Sequence, residues 1–350
     1  MLLATVIITT HNRPLFLSKC LACLINQSVS ANLYEIIVVD SYSDLKKENK
    51  SIVNLIKKNK KVNIRYFYNN TIGGITKSKN IAVNMCRTEN IIVADDDSLP
   101  SYHYIEAAIR SLNKSDLVIG RMTPLYEKKP KKEFLRKIIT RNNFGYYITD
   151  FSVIDLGRRE IEIPWQLAFA SNCAFKKSFY IEAGGIGPDG FSHPYFYWNG
   201  SGEHNYSIKA KKIIYSPKMH AKHFISKVRL TENFLNSRSF FYGVGESFDL
   251  VRNRKFPIFS PNFFFRTAKF LFRILVAIVN NDKFSLMRIS SHLKGFILHQ
   301  YFSLIFPNLR DYCRKETWLD FNFSEIVKIG KKNINSQWTL LGKLETDIKK

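Results

Sequence analysis

Five short segments in the first 120 residues have the composition of buried β-strands, with helical segments between them. They are LLATVIIT, YEIIVVD, KVNIRYFYN, NIIVAD and SDLVIG. Most are apolar without alternation and rich in β-branched residues, as strands covered on both faces tend to be. Pro14 opens a segment with leucines at helical spacing, and residues 75–86 and 102–112 also have helical patterns. Repeated strand–helix units predict an α/β fold with a mostly parallel sheet flanked by helices.

Polar side chains stand at the ends of three predicted strands. The tripeptide THN follows the first strand, Asp40 ends the second, and the triplet DDD at residues 95–97 ends the fourth. In open α/β sheets, ligands bind outside the carboxyl ends of the strands. The three clusters therefore predict one site at one edge of the sheet.

The triplet Asp95, Asp96 and Asp97 places three like charges side by side, and something positive must offset them. Carboxylate oxygens at a strand end suit Mg²⁺ or Mn²⁺, which take one or two protein carboxylates together with phosphate oxygens. A solvated turn, with Asp97 or Ser98 capping the next helix, explains the triplet equally well by itself. The neighbouring polar strand ends favour a metal shared with a diphosphate.

The chain is strongly basic, with 53 Lys and Arg against 29 Asp and Glu and a net charge of +24. This excess suits a polyanionic partner: nucleic acid, phosphorylated substrates or an anionic membrane surface. No zinc pattern or aromatic RNA-binding signature is visible, so we expect no nucleic acid partner. The five cysteines are scattered and the apolar N-terminus lacks a basic region, so we expect reduced thiols, no signal peptide and a cytoplasmic location.

The region after residue 120 is less regular. Residues 121–165 are strongly basic and predict a loop over the site. The segment LAFASNCAFKKSFYIEAGGIGPDGF predicts a strand, a helix and a glycine-rich turn, and WNGSGEHNYSIKAKK predicts a turn into a short helix at Glu203. The run IIYSP predicts a last strand that ends before His220 and His223.

Near residue 226 the alternation stops, and a basic, aromatic and mainly helical region begins. In FFFRTAKFLFRILVAIV, the charges Arg266, Lys269 and Arg273 lie on one helical stripe, and the other faces are apolar. The run is too interrupted to span a bilayer. It suits a helix in the headgroup plane of an anionic membrane, and equally a core helix with a basic exposed face.

Four motifs occur in a fixed order: VIITTHNRPLFLSKCLACLINQS, YEIIVVDSYSD, GGITKSKNIAV and IIVADDDSLP. In this order they resemble the nucleotide-binding half of family 2 glycosyltransferases of the GT-A fold. The later segment from ASNCAFKK to MHAKHF is similar to the acceptor side of the same family. The resemblance implies a GT-A catalytic domain over residues 1–225, made of a nucleotide-sugar half (1–120) and an acceptor half (121–225). Residues 226–350 lie outside it.

The resemblance implies an enzyme that transfers a sugar, with inversion, from a nucleotide-diphosphate sugar, most often a UDP-sugar. The acceptor would be a hydroxyl of a glycan or of a lipid-linked molecule in the synthesis of bacterial capsule or lipopolysaccharide. The implied cofactor is a divalent metal, Mn²⁺ or Mg²⁺. The implied place of action is the cytoplasm, at the inner face of the cytoplasmic membrane.

The same resemblance assigns roles to individual residues. Donor binding is assigned to Thr9, Thr10, His11 and Arg13 after the first strand, Asp40 at the base, Lys79 and Asn80 near the donor, and Asp95 and Asp96 of the D-x-D motif. Metal binding is assigned to Asp97 first, with Asp95 and either His220 or His223. Family members usually have Arg-Asn where this chain has Lys79–Asn80, and lysine keeps the charge but loses the bidentate fork.

The sequence departs from the family pattern at the catalytic base. Family members usually carry Glu-Asp after the glycine-rich turn, whereas this chain has Glu203–His204. A base needs a pKa that is reachable near neutral pH, and either side chain meets that requirement. We favour Glu203, with His204 as the alternative, and a purely structural role for Glu203 as a helix cap is the third reading.

Three other functions compete. A sugar-phosphate nucleotidyltransferase shares the alternating fold but needs a glycine-rich, arginine-containing loop after the first strand, where this chain has TTHNRP. A basic nucleic-acid-binding protein lacks a supporting motif. A catalytically inactive protein with the GT-A fold stays open, because a fold does not guarantee chemistry.

Overall fold

The computed structural model describes residues 1–41, 49–69, 74–169, 171–187, 202–252, 260–305, 310–311 and 313–319. The chain divides into two compact units: Met1–Gly187 with Glu203–Ser226, and Pro188–Gly202 with Lys227–Lys350. The predicted glycine-rich turn in GIGPDGF and the tail after residue 319 fall largely or wholly outside the described residues.

The first unit is an α/β sheet layer with flanking helices. Its strands are β1 (Ala4–Thr10), β2 (Tyr34–Ser41), β3 (Asn63–Asn69), β4 (Asn90–Asp95), β5 (Ser98–Pro100), β6 (Leu117–Tyr126), β7 (Thr140–Arg141), β8 (Tyr146–Ile148), β9 (Val153–Asp155), β10 (Ile161–Glu162), β11 (Asn172–Lys176) and β12 (Ile213–Ile225). Its helices are α1 (Pro14–Ile25), α2 (Asn49–Lys58), α3 (Gly74–Met85), α4 (Tyr104–Leu112), α5 (Lys132–Ile138), α6 (Lys177–Glu182) and α7 (His204–Ser207).

The sheet has the order β3-β2-β1-β4-β11-β6-β9-β8-β7. The four strands β3, β2, β1 and β4 are parallel, as the sequence predicts. All seven residues of β1 are buried, which explains its continuous apolar run. The fifth predicted strand, β6, does not pair with β4, because β11 lies between them and runs antiparallel to both. The α/β fold with a mostly parallel sheet is confirmed.

Two expectations about the strand ends are wrong. Asp97 and Ser98 do not cap the next helix, because Ser98 begins β5 and α4 starts only at Tyr104, with His103 at its N-cap. The last strand does not end at IIYSP. It continues past an irregularity between Ser216 and Ala221 to Ile225, because its second half pairs with both β5 and β6. His220 and His223 therefore lie within β12, not after it.

Residues 121–165, predicted as an irregular basic loop, contain the end of β6, helix α5 and the short strands β7 to β10. Exposed cations remain concentrated there, at Lys128, Lys129, Lys131 and Lys132.

The second unit is helical, as predicted, with α8 (Glu232–Arg252), α9 (Pro261–Val279) and α10 (Lys283–Ile305). Helices α8 and α10 approach closely at two glycines. A Cβ at Gly243 would overlap the backbone oxygen of His292, and a Cβ at Gly295 would overlap that of Phe240. The inward side of α9 carries Phe263 and Phe270, which belong to an apolar cluster with Phe296 of α10. Within the described residues, no helix combines the length and the hydropathy that a membrane crossing requires.

We predict that Gly243→Ala destabilises the helical unit by about 1–3 kcal/mol, because the added methyl group must push two helix backbones apart. The measurement is the free energy of unfolding from urea titration followed by circular dichroism. Ser290→Ala, at an exposed site on α10, is the control and should change the free energy by less than about 0.5 kcal/mol. An open helical glycine would instead gain about 0.5–1 kcal/mol on becoming alanine, and that sign would contradict the prediction.

Candidate functional site

The carboxyl ends of β1, β2 and β4 bring the predicted polar clusters to one edge of the sheet. In the strand register, Thr9 lies opposite Asp95 and Thr10 lies opposite Asp40. Asn12 has a φ of +52°, which turns the chain sharply from β1 towards α1. The convergence expected from strand ends is therefore present in the fold.

Asp96 is buried against the loop after β1. The Thr10 hydroxyl donates to Asp96 Oδ2 at 2.7 Å, and Arg13 Nη1 donates to Asp96 Oδ1 at 3.2 Å. Burial raises the pKa of the Asp96 carboxyl to about 6, and the Arg13 charge opposes part of that rise. Both oxygens of Asp96 are thus bound by protein groups, so Asp96 organises the loop.

Asp97 is held from two sides. Its Oδ2 lies 3.1 Å from the same Arg13 Nη1, and its Oδ1 lies 3.2 Å from His223 Nε2. Strand β12 delivers the histidine, because His223 is paired with Ser98 in the sheet register, one residue beyond Asp97. The Asp97 carbonyl also accepts from the Phe224 backbone N–H at 2.9 Å, which locks β12 to this turn.

The tautomer of His223 follows from its second contact. Nδ1 lies 2.7 Å from the Phe151 carbonyl oxygen, which can only accept, so Nδ1 carries a hydrogen. Nε2 therefore faces Asp97 Oδ1 either with a second proton or with its lone pair. A lone pair facing a carboxylate is favourable only when a cation lies between them. A histidine whose other N–H is fixed by a backbone carbonyl is the usual arrangement of a metal ligand.

His220 lies elsewhere. Its Nε2 is 2.8 Å from the Thr123 hydroxyl, and burial together with the nearby Arg121 lowers its pKa. Of the two predicted histidines, the structure places His223 beside Asp97.

Asp95 pairs with a different cation. Lys79 Nζ on α3 lies 3.5 Å from Asp95 Oδ1, and this buried oxygen makes no hydrogen bond with the described residues. Burial raises the pKa of Asp95, whereas Lys79 lowers it. Each of the three adjacent carboxylates therefore has a positive or protonatable partner within 3.5 Å.

These residues fit a divalent cation with two protein ligands. Among the described residues, no three His, Cys, Asp or Glu side chains are grouped closely enough to hold a metal. Asp97 Oδ1 and His223 Nε2, 3.2 Å apart, can bind one ion and leave its other positions to water and phosphate. Mg²⁺ and Mn²⁺ sites that share phosphate oxygens use one or two protein ligands in this way.

The other residues predicted to bind the donor lie at the ends of β1 and β2. Asp40 is buried and accepts a hydrogen bond from the Tyr66 hydroxyl. His11 is exposed, with Nδ1 2.7 Å from the Ser41 carbonyl oxygen. The Thr9 hydroxyl is buried and makes no hydrogen bond within the described residues. Tyr66 is a residue that the sequence did not single out, since an aromatic residue inside a strand normally indicates packing.

Asn80 has a different environment from its neighbour Lys79. Its Oδ1 accepts from the Tyr180 hydroxyl at 2.7 Å and from the Ile186 backbone N–H at 3.2 Å. Its Nδ2 donates to the Ile186 carbonyl at 3.1 Å. The turn that it holds contains Gly184 and Gly185, both with positive φ. The amide of Asn80 therefore anchors the segment after α6.

Glu203 and His204 lie at the start of α7. Glu203 occupies the N-cap position of α7, as the structural reading expects, and its side chain makes no capping hydrogen bond. The His204 ring meets Trp165 edge to face, with ring centroids 4.8 Å apart. Sequence reasoning missed Trp165, because one aromatic residue in the irregular 121–165 region carries no motif.

We predict that Asn80→Ala lowers the free energy of unfolding by about 1–3 kcal/mol, because it leaves buried partners without a hydrogen bond. Urea titration measures the change. Asn113→Ala, at the exposed end of α4, is the control and should alter stability by less than about 0.5 kcal/mol. Unchanged stability of Asn80→Ala would contradict the anchoring role.

Comparison with known proteins finds a matching family model and similar solved structures. The model described as Glycosyl transferase family 2 matches residues 5–175, from β1 to β11. Among solved structures, TarS 1-349 of S. aureus matches at 14% identity with a TM-score of 0.46, over 69% of this chain and 65% of that one. The same protein in complex with UDP-GlcNAc matches at 13% identity and the same TM-score, covering 69% and 66%.

The chain thus spans slightly less than two thirds of the length of the TarS 1-349 structures. No curated protein matches the sequence. The match to the family model, over just under half of the 350-residue chain, supports a family 2 glycosyltransferase.

Proposed function

We propose that this protein is a metal-dependent inverting glycosyltransferase. It transfers a sugar from a nucleotide-diphosphate sugar, with a UDP-sugar the first expectation, to a hydroxyl of a glycan or lipid-linked acceptor. One observation carries the proposal: Arg13, Lys79 and His223 surround the three carboxylates at the end of β4, a strand within the family 2 match. A site with this mixture of charges suits a diphosphate bound together with a cation.

Different side chains would bind the metal, the phosphates and the nucleoside. Asp97 and His223 would hold Mn²⁺ or Mg²⁺, which offsets charge on the departing diphosphate when bound. Arg13 and Lys79, whose charges already face the cluster, add positive potential where the phosphates would lie. Asp40, Thr9, Thr10 and His11 line the strand ends that would take the nucleoside.

Sugar transfer also requires a base that removes the proton of the acceptor hydroxyl. Glu203 is partly exposed and makes no capping bond, so its carboxylate is available for this role. It would remove the proton as the acceptor oxygen attacks the anomeric carbon, and the nucleoside diphosphate would leave from the opposite side. His204, held against Trp165, is the alternative base.

The cellular role that we propose is the synthesis of a bacterial surface polysaccharide, of capsule or lipopolysaccharide type. It would take place in the cytoplasm, at the inner face of the membrane. The resemblance to family 2 enzymes and the basic composition support this role.

We predict that Asp97→Asn weakens the Mn²⁺-dependent binding of a nucleotide sugar by at least ~10-fold, because it removes a charged metal ligand. Calorimetry with UDP- and GDP-sugars, with and without Mn²⁺, measures the effect. Glu162→Gln removes an exposed carboxylate on β10 and is the matched control.

Two results would count against the proposed function. Failure of the wild-type protein to bind any donor in the presence of metal would favour an inactive protein with the GT-A fold. Binding of a nucleoside triphosphate together with a sugar phosphate, and of no nucleotide sugar, would instead indicate a nucleotidyltransferase.

We predict that Glu203→Gln lowers turnover by about 100- to 10,000-fold and leaves donor binding unchanged, because the amide cannot accept the acceptor proton. Turnover is measured as release of nucleoside diphosphate in the presence of acceptor. Lys209→Gln, two positions beyond α7, controls for local changes of charge. If Glu203→Gln stays active while His204→Ala does not, the base is His204.

A further inference from the structure

Helix α9 of the second unit has two apolar faces, and only one of them is used in packing. On the inward face, Phe263 and Phe270 lie against Phe296 of α10, with ring centroids 5.6 and 5.9 Å away. Ala277 continues this buried line towards the C-terminal end of the helix. These contacts pack the inward face of α9 against α10.

The opposite side of α9 is apolar and exposed. We call it the outward face, defined by Phe264, Phe265, Leu271, Phe272, Leu275 and Val279. The relative exposure of Phe265 is 72% and that of Val279 is 77%. Because Phe265, Phe272 and Val279 are separated by seven residues each, they form one line along the helix. Single exposed apolar residues are common, but a continuous patch of this kind marks an interaction surface.

Positive charge borders the outward face. Lys269 and Arg273 are exposed along one edge, whereas Arg266 turns inward to an ion pair with Glu246 of α8. Helix α9 contains no acidic residue, and residues 260–305 hold six Lys and Arg against the single acid Asp282. The partner of this surface must therefore accept apolar side chains and carry negative charge.

We propose that the outward face of α9 binds an anionic lipid surface, with the helix lying in the headgroup plane. An apolar helix face bordered by Lys and Arg gains both from burial among acyl chains and from attraction to acidic headgroups. The inward face stays on α8 and α10, so the helix lies along the surface rather than across it. A second copy of the chain is the less favoured occupant, because two outward faces would bring two basic borders together.

This surface favours the membrane reading over the core-helix reading, both of which the sequence left open. The exposed side of α9 is mainly apolar and has a basic border. A core helix with a basic exposed face would instead expose mainly Lys and Arg side chains. The proposal names the surface that would hold the protein at a membrane, and it does not depend on the proposed sugar transfer. Lipid binding and donor binding are measured separately, so the failure of one leaves the other intact.

The test is co-sedimentation of the full-length protein with vesicles of phosphatidylcholine, alone or mixed with phosphatidylglycerol, at low and high salt. We expect binding to the mixed vesicles only, and weaker binding at high salt. Phe265→Ser with Phe272→Ser should reduce the partition coefficient by about 10-fold, and Lys269→Glu with Arg273→Glu by a similar factor.

Three matched controls make the result specific. Phe265→Leu with Phe272→Leu keeps the face apolar and should retain binding. Tyr102→Ser with Ile181→Ser removes exposed apolar residues elsewhere, and Lys128→Glu with Lys129→Glu changes the net charge by the same amount elsewhere. The Tyr102/Ile181 variant and the Lys128/Lys129 variant should both bind the mixed vesicles as the wild type does.

Several outcomes would overturn the proposal. One is that the protein binds neither vesicle, and another is that it binds neutral and acidic vesicles equally. A third is that the control pairs lose as much vesicle binding as the variants of α9. A dimer in solution that the two serine substitutions dissociate would assign the face to a second copy. If the serine variant fails to fold by circular dichroism, Phe272→Trp provides the readout. Its fluorescence should be quenched by brominated phosphatidylglycerol beyond the wild-type level, and no added quenching would reject the lipid surface.

Discussion

The site depends on the neutralisation of three adjacent carboxylates at the end of β4. The side chains that face these carboxylates come from three different elements: Arg13 from the start of α1, Lys79 from α3 and His223 from β12. Burial penalises the charged form of Asp95 and Asp96, so these carboxylates are tolerable only while the cations stay in place. The charge balance of this turn therefore depends on the positions of α1, α3 and β12.

The sheet topology explains how these partners meet. Parallel pairing of β1 with β4 brings the loop after β1 to the aspartates. The extension of β12 past its irregularity then carries His223 to the same turn, while Phe224 bonds the Asp97 carbonyl. Asn80 contributes indirectly, since it holds the Ile186 turn and follows Lys79 on the same helix. Lys79, a proposed donor-binding residue, and Asn80, a structural residue, are thus neighbours in one short motif.

The helical unit is held together by close backbone contacts and by ion pairs between its helices. Gly243 and Gly295 allow close backbone contact between α8 and α10, and Ser247 of α8 contacts His299 and Gln300 of α10. Glu246 contacts Arg266 and His292, which links all three helices. Burial alone would raise the pKa of Glu246, but His292 and Arg266 lower it. With α9 secured in this way, its outward apolar face can remain exposed without being needed for the stability of the unit.

The sequence by itself determined the parallel strands β1 to β4, the helix at Pro14 and the gathering of Asp40, Asp95, Asp96 and Asp97 at one edge. These features depend on local composition and on the general geometry of strand–helix units. Only the tertiary structure decided that β11 separates β4 from β6, that His223 and not His220 meets Asp97, and that Asn80 anchors a turn. Each of these depends on pairing between residues about 50 to 125 positions apart. Strand register and side-chain direction set such contacts, and a one-residue shift would exchange one face for the other.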